Sequence, residues 1–313
     1  MPPEAVFPHL GITIQNLPRE AFSIFGFPVY FYGIFIAAGM IAGLLYGLHE
    51  AKRTGQNPEK YTDLLLIGII AALVGARLYY VIFSWQDYAA NPLEIFDVRK
   101  GGLAIYGGLI ASVITVLVFC RVNKLKVLTV FDTCAPAFVL GQAIGRWGNF
   151  FNKEAFGGYT DNLFAMRYLS SQAALIPKGM PDIAANGARY IQVHPTFLYE
   201  SMWCIGVFIL LNIWKRRVKI GGGEVMGAYF VLYGLGRAWI EGLRQDQLLF
   251  WGTGVAVSQV FSGLLVVLGL AIIIFRRKYI KKYAAIDHEQ RSELPDENPD
   301  PVQPDTPEEP PGD

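Results

Sequence analysis

The sequence predicts an all-α integral membrane protein: a bundle of seven transmembrane helices with a small external cap, N-terminus outside and C-terminus inside. Three observations carry that expectation. Of 313 residues, 53% are hydrophobic and only 17% charged, and the mean hydropathy is +0.33, a balance foreign to a soluble two-domain chain. Seven runs are long and apolar enough to cross a bilayer core about 30 Å thick, which takes roughly 20 helical residues. Lysine and arginine recur beside alternate ends of those runs, as short cytoplasmic connections demand.

Residues 1–26 carry scattered apolar side chains (Phe7, Leu10, Ile12, Ile14, Leu17, Phe22, Phe25) and are expected to form an external interfacial segment. They lack the basic start and short apolar core of a cleavable signal peptide, so the first span itself is expected to direct insertion. Residues 27–283 then form the seven-helix domain. Runs 29–48, 102–120 and 248–275 are free of charge and suit contact with lipid. Run 64–83 contains Arg77, 127–147 contains Asp132 and Arg146, 197–214 contains Glu200, and 225–243 contains Arg237 and Glu241. Those four must turn their charges into the bundle.

Basic residues cluster after the first, third, fifth and seventh runs (Lys52, Arg53 and Lys60; Arg121, Lys124 and Lys126; Lys215, Arg216, Arg217 and Lys219; Arg276, Arg277, Lys278, Lys281 and Lys282), which places those connections inside. The long connection within 149–195 is expected to be an ordered external cap, because passive loops of that length are rare. Residues 284–313 are acidic and proline-rich, too poor in apolar surface to fold, and are expected to be a disordered cytoplasmic tail.

A net charge of +1 excludes a broadly basic nucleic-acid binder. Cys120, Cys134 and Cys204 are far apart within apolar runs, so neither a disulfide framework nor a zinc site is indicated, and small buried hydrophobes is the economical reading.

With the sides assigned, the intramembrane charges gather at one depth. Arg77, Arg146 and Arg237 fall in the outer parts of three different spans, while Tyr32, Tyr106, His194 and Glu200 stand at or near the outer starts of three others. Asp132 is placed near the inner side, where a helix start and structural pairing account for it. Tyr233, Arg237, Glu241 and Arg244 recur at i, i+4, i+8 and i+11, one face of a helix. Alone, such a row reads equally as an ion-pair ladder holding the bundle together. Guanidiniums converging from three helices favour an anionic phosphate ligand, which their planar, permanently charged fork binds in bidentate fashion.

The densest polar stretch is GRWGNFFNKEAFG, from Gly145 to Gly157, where the fourth span leaves the membrane. Arg146, Asn149, Asn152 and Glu154 exceed what capping a helix requires. His194 precedes Pro195 in HPTFLYE; a lone histidine there fits a structural hydrogen-bonder as well as an acid–base group.

These segments resemble the bacterial phosphatidylglycerol–prolipoprotein diacylglyceryl transferase family. GRWGNFFNKEAFG is similar to its signature at nearly every fixed position, and FYG (Phe31 to Gly33), GARLYYVIF (Gly75 to Phe83), GGLAIYGGLI (Gly101 to Ile110), HPTFLYE (His194 to Glu200) and YGLGRAWIEGLRQ (Tyr233 to Gln245) follow in the family's order. The resemblance implies a seven-helix fold in the bacterial cytoplasmic (inner) membrane with its active site toward the outer leaflet. It also implies transfer of the diacylglyceryl group of phosphatidylglycerol to the lipobox cysteine of prolipoprotein signal peptides. The product is a thioether, glycerol 1-phosphate leaves, and no metal or other cofactor takes part. Carried over residue by residue, Arg146 and Arg237 match its key arginines, Asn149 and Gly157 its signature residues, and Tyr32, Tyr233 and Glu241 further polar positions.

One position departs from the family: where many members have histidine in the third span, this chain has Tyr106. A phenol of ordinary pKa near 10 is a poor proton acceptor at neutral pH, so Tyr106 is expected to orient phosphate or water, with His194 or no dedicated base beside it. The expected site is thus Arg146, Arg237, Glu241, Tyr106 and His194 for chemistry. Arg146, Asn149, Asn152, Glu154, Gly157, Tyr32, Arg77, Tyr233 and Arg244 are expected to bind phosphatidylglycerol, with Glu241 and Glu154 orienting the arginines. A transporter also buries arginines, but it usually shows inverted repeats and charges near mid-membrane. A purely structural scaffold leaves the polar motifs on five helices unexplained.

Overall fold

The computed structural model describes residues 2–89, 91–97, 101–176, 179–217, 222–245, 247, 249 and 254–292, without the side chains of 217 and 280–292. Its helices are α1 (Phe31–Arg53), α2 (Glu59–Phe83), the short α3 (Trp85–Tyr88), α4 (Ile105–Val122), α5 (Val127–Asn152), α6 (Thr196–Arg217), α7 (Glu224–Leu243) and α8 (Val257–Ser292), with a 3-10 turn at Pro92–Phe96. Six of them, α1, α2, α4, α5, α6 and α8, are long and apolar enough to cross a membrane. The molecule is a mostly helical, multi-pass membrane protein.

The expectation of an all-α fold is corrected by the cap. Strands β1 (Ala5–Phe7), β2 (Ile12–Ile14), β5 (Met166–Leu169), β6 (Asp182–Ala185) and β7 (Ala188–Val193) form one antiparallel sheet in the order β2-β1-β5-β7-β6, and β3 (Glu20–Ile24) pairs with β4 (Phe27–Tyr30) as a separate hairpin. The physical reason is local. Segments of three to six residues between Gly, Pro and Asn turns are too short to bury a helical face, whereas paired strands satisfy their backbone in each other.

The sheet is seated on the membrane helices. Phe7, Leu17, Phe156, Met166, Tyr168, Ile191 and Val193 from the cap share one buried cluster with Phe150 of α5 and Phe197 of α6. Buried side chains of that size contribute about 1.5–3 kcal/mol each, and this shared core fixes the cap over the C-terminal end of α5 and the N-terminal end of α6. Residues 5–14 therefore belong to the sheet. Lys153, in the left-handed region at φ 55°, ends α5 and sends its ammonium to Glu4 at 2.9 Å.

Between the helices, glycines let backbones touch, which is how helices associate where lipid removes the hydrophobic drive. A Cβ on Gly39 of α1 would lie 2.8 Å from the carbonyl oxygen of Gly141 on α5; one on Gly107 of α4, 2.3 Å from that of Gly75 on α2; one on Gly269 of α8, 2.4 Å from that of Gly227 on α7. Three tight helix pairs result: α1 with α5, α2 with α4, and α7 with α8. Asp132 of α5 supplies the missing cap of α7, accepting the N–H of Gly223 at 2.6 Å and of Met226 at 3.0 Å. Helix α8 continues to Ser292, past residue 284 where the tail is expected to begin, and residues 293–313 lie outside the described residues.

Candidate active site

The site grows from the registry of three helices. Trp147 Nε1 of α5 donates to Ser201 Oγ of α6 at 3.2 Å, and Ser201 Oγ donates on to the Ala143 carbonyl at 2.8 Å. Trp203 Nε1 of α6 donates to the Leu232 carbonyl of α7 at 2.9 Å. That contact is close enough that a Cβ on Gly236 would come 2.1 Å from the indole nitrogen. These bonds lie within a helical turn of Arg146, Glu200 and Arg237, so they set where the charges meet.

They meet in one alternating row. Arg146 Nη2 stands 2.7 Å from Glu200 Oε1, the other Glu200 oxygen accepts Arg237 Nη1 at 3.0 Å, Arg237 Nη2 lies 2.7 Å from Glu241 Oε2, and Arg244 Nε is 4.0 Å from that same oxygen. Glu200 is only 3% exposed. Carboxylates at that depth persist as charges only when paired. At Glu200 Oε1 and Glu241 Oε2 the guanidiniums stand at ion-pair distance, yet neither oxygen has an aligned hydrogen-bond donor among the described residues. The distances establish the pairing; the angles leave both oxygens acceptor capacity. Tyr233 stacks on Tyr229 with ring centroids 5.5 Å apart, within electrostatic reach of Glu200, Arg146 and Arg237. Tyr32, in the first turn of α1, packs against Gly148, where a Cβ would come 2.8 Å from its ring.

Just beyond, the reversal at Lys153 folds Glu154 back over the end of α5. Its Oε1 accepts Asn149 Nδ2 at 3.0 Å and Asn152 Nδ2 at 3.1 Å, so Glu154 orients the amides rather than the arginines. Gly157 N donates to the His194 carbonyl at 3.0 Å and bridges to Arg244, and Gly158 N donates to the Leu243 carbonyl at 2.9 Å. A Cβ on Gly157 would meet His194 Cβ at 2.7 Å and the Leu243 oxygen at 2.9 Å. Glycine is needed there because three chain segments converge. The His194 ring is half-buried with Nδ1 3.3 Å from Tyr199 Oη, and burial holds its pKa below the ordinary value.

Two expected site residues belong to the α2–α4 pair and have other partners. All five N–H groups of Arg77 are spent on backbone carbonyls, those of Ile95, Gly101, Gly102, Glu94 and Asp97, at 2.7 to 3.2 Å. That corrects its assignment to the phosphate: a guanidinium closing its own loop has no donor left for a ligand. Tyr106 is 41% exposed and its ring meets Phe261 of α8 edge-on at 6.5 Å.

Glu200, readable from the sequence as a buried charge, is not among the expected site residues, yet it joins the two arginines. The available signal is a carboxylate one turn inside an otherwise apolar span, in a chain where two other spans each carry a buried arginine.

Residues 19–275 match the family model described as prolipoprotein diacylglyceryl transferase. A phosphatidylglycerol–prolipoprotein diacylglyceryl transferase of Bacillus cereus (strain G9842) is 42% identical over 270 residues, covering 85% of this chain and 94% of its own. One of Bacillus anthracis is similar to the same extent, 42% over 270 residues. The chain belongs to the prolipoprotein diacylglyceryl transferase family.

Proposed function

We propose that this protein transfers the diacylglyceryl group of phosphatidylglycerol to the lipobox cysteine of prolipoprotein signal peptides, the first step of lipoprotein maturation. The observation that carries the reading is the junction of Arg146 and Arg237 on Glu200, two guanidiniums from different helices held side by side at a buried carboxylate. Membership of the family supplies the reaction class.

In the proposed reaction the cysteine sulfur attacks the glycerol carbon that bears the phosphate. A C–S bond forms and a C–O bond breaks; the electron pair of that bond leaves with glycerol 1-phosphate. The thiolate is the reactive form of a thiol whose ordinary pKa is about 8.5, and nearby guanidiniums favour it. The same cations stabilise the charge gathering on the leaving phosphate, the kind of preorganised stabilisation worth several kcal/mol in other enzymes. Glu200 and Glu241 orient Arg146 and Arg237. Asn149, Asn152, Tyr32 and Tyr233 border the phosphate, and Gly157 holds the cap strand against Arg244.

We read α7 as a seventh span. At 20 residues it is about 30 Å long, and its charged residues are paired: Arg237 with Glu200 of α6, Glu241 with Arg237, and Glu224 with Arg277 of α8. The alternating basic connections support an N-terminus outside and a C-terminus inside. The site then opens toward the outer leaflet of the cytoplasmic membrane, where phosphatidylglycerol arrives sideways and the signal peptide is presented. Residues 27–283 would form the catalytic domain, with the cap within 149–195.

The test is direct. Purified protein in phosphatidylglycerol vesicles, given a lipobox peptide, is expected to add a diacylglyceryl mass to its cysteine, and folded protein that adds none overturns the reading. Arg146→Ala and Arg237→Ala are each expected to insert normally and abolish transfer; activity retained in both removes the clamp.

A further inference from the structure

The β3–β4 hairpin carries two features that make no sense in water. Between Glu20 and Phe31 its only polar side chains are Ser23 and Tyr30, and both faces are apolar. The cross-strand pairs include Phe22 with Val29, Ser23 with Pro28 and Ile24 with Phe27, and the two-residue turn is Phe25–Gly26. Phe22, Ile24, Phe25 and Phe27 are all exposed, Phe25 at 97%. Phe25 and Gly26 both have positive φ, 49° and 81°, as the tightest hairpin turn requires. Asn, Asp or Gly ordinarily fills the first of those positions because a bulky side chain is strained there. An aromatic ring held in a strained conformation and projected away from the protein points to a ligand outside the protein.

Its place in the fold says what that ligand is. Strand β4 runs without a linker into α1, and Phe31 N donates to the Arg19 carbonyl at 3.0 Å to close the hairpin base. Phe31 stacks on Phe151 at 4.4 Å, next to the last residue of α5. The hairpin therefore leaves the bundle at the level where α5 ends, which is the rim of the hydrocarbon layer. Its apolar surface continues that of the lipid-facing helix α1. An ordinary sheet edge cannot enter hydrocarbon with open backbone groups, but a tip reaching only the headgroup and upper acyl region retains water for them, as interfacial segments do.

We propose that the β3–β4 hairpin is an interfacial anchor whose tip, Phe25 with Phe22, Ile24 and Phe27, inserts into the outer leaflet beside the active site. It thereby narrows the expected interfacial segment of residues 1–26 to this hairpin, since residues 5–14 lie in the cap sheet. The placement rests on the orientation proposed above but not on the transferase reading, so the test is one of depth, not of activity.

The full-length protein with Cys120, Cys134 and Cys204 replaced by alanine, first checked for transfer, would carry Phe25→Cys labelled with an environment-sensitive fluorophore. It would be reconstituted into phosphatidylglycerol–phosphatidylcholine vesicles. The label is expected to emit blue-shifted light, to lose most of its emission to a nitroxide placed high on the acyl chain, and to resist aqueous iodide. Ala184→Cys, on the exposed strand β6 of the cap, is expected to show the opposite pattern. A Phe25 label quenched by iodide and untouched by the lipid nitroxide overturns the proposal. So does a label that becomes shielded only when a lipobox peptide is added, which would make the tip a peptide-docking element instead. If the parent protein fails to transfer while the quenching pattern holds, the anchor stands and the transferase reading falls.

Discussion

Arg146 and Arg237 each hold one oxygen of the same carboxylate, at 2.7 and 3.0 Å, so Glu200 fixes the gap between two guanidiniums rooted in different helices. Coulomb repulsion would otherwise drive the two cations apart in a medium of low dielectric. The row is thus a spacing device as much as a set of charges.

Glu200→Gln keeps the shape and removes the charge. Breaking a buried pair by neutralising one partner costs about 3–5 kcal/mol. The variant is expected to melt earlier in detergent and to lose transfer, whereas Glu200→Asp, which shortens the arm, retains the charge and most of the stability but turns over slowly. Thermal unfolding alongside peptide lipidation checks both; full activity in Glu200→Gln would remove the spacer role.

Arg77 gives a contrasting expectation. Lysine has three donors where Arg77 uses five, so Arg77→Lys strands carbonyls between residues 94 and 102. Each lost bond costs about 1 kcal/mol net. Stability should fall while the KM for phosphatidylglycerol stays at the parent value, because the side chain serves the loop. A raised KM at unchanged stability would return Arg77 to the phosphate.

Gly157→Ala drives a methyl into His194 and the Leu243 carbonyl. Overpacking of this kind costs about 1–3 kcal/mol. The strain falls on the segment bridged to Arg244, so transfer is expected to drop more than the melting temperature suggests, read as kcat against Tm.

Acid acts on the cap through Glu4. Burial alone would raise its pKa, but hydrogen bonds from Gln172, Lys153 and the Leu17 N–H outweigh burial and hold it below the ordinary 4.5. A carboxylate with a depressed folded pKa stabilises the fold above its unfolded pKa and loses that contribution as pH falls through the folded value. The cap is therefore expected to loosen below pH 4.5, seen as faster amide exchange in β1 and β5. Glu4→Gln should be weaker at pH 7 and lack that acid step.

Tyr106→Phe removes only a hydroxyl, and the ring keeps its edge on Phe261. Transfer and its pH profile are expected to match the parent. Lost activity above pH 7 alone would make the phenol a participant in proton transfer.

Much of the architecture is legible because the bilayer simplifies it: runs such as 64–83 and 102–120 have one structure available to them in hydrocarbon. The cap is not. Strand β1 pairs with β5 across some 160 residues of chain, and three apolar-leaning residues such as Ala5–Phe7 carry no periodicity to betray the partner. Within the site, Arg237, Glu241 and Arg244 were readable as one helical face because helix geometry fixes their spacing. Which carboxylate would meet Arg146 depended on how α5 and α6 register through Trp147 and Ser201, a contact between helices that spacing along one chain does not encode. Arg77 looked like a ligand group for the same reason: its partners are carbonyls, which every residue has.

Three guanidiniums alternate with two carboxylates along the row from Arg146 to Arg244. Each carboxylate lies between two guanidiniums, so no two cations are neighbours along the row. Loss of Glu241, like that of Glu200, would set two like charges against each other in a medium of low dielectric, so the order of the row matters as much as its composition.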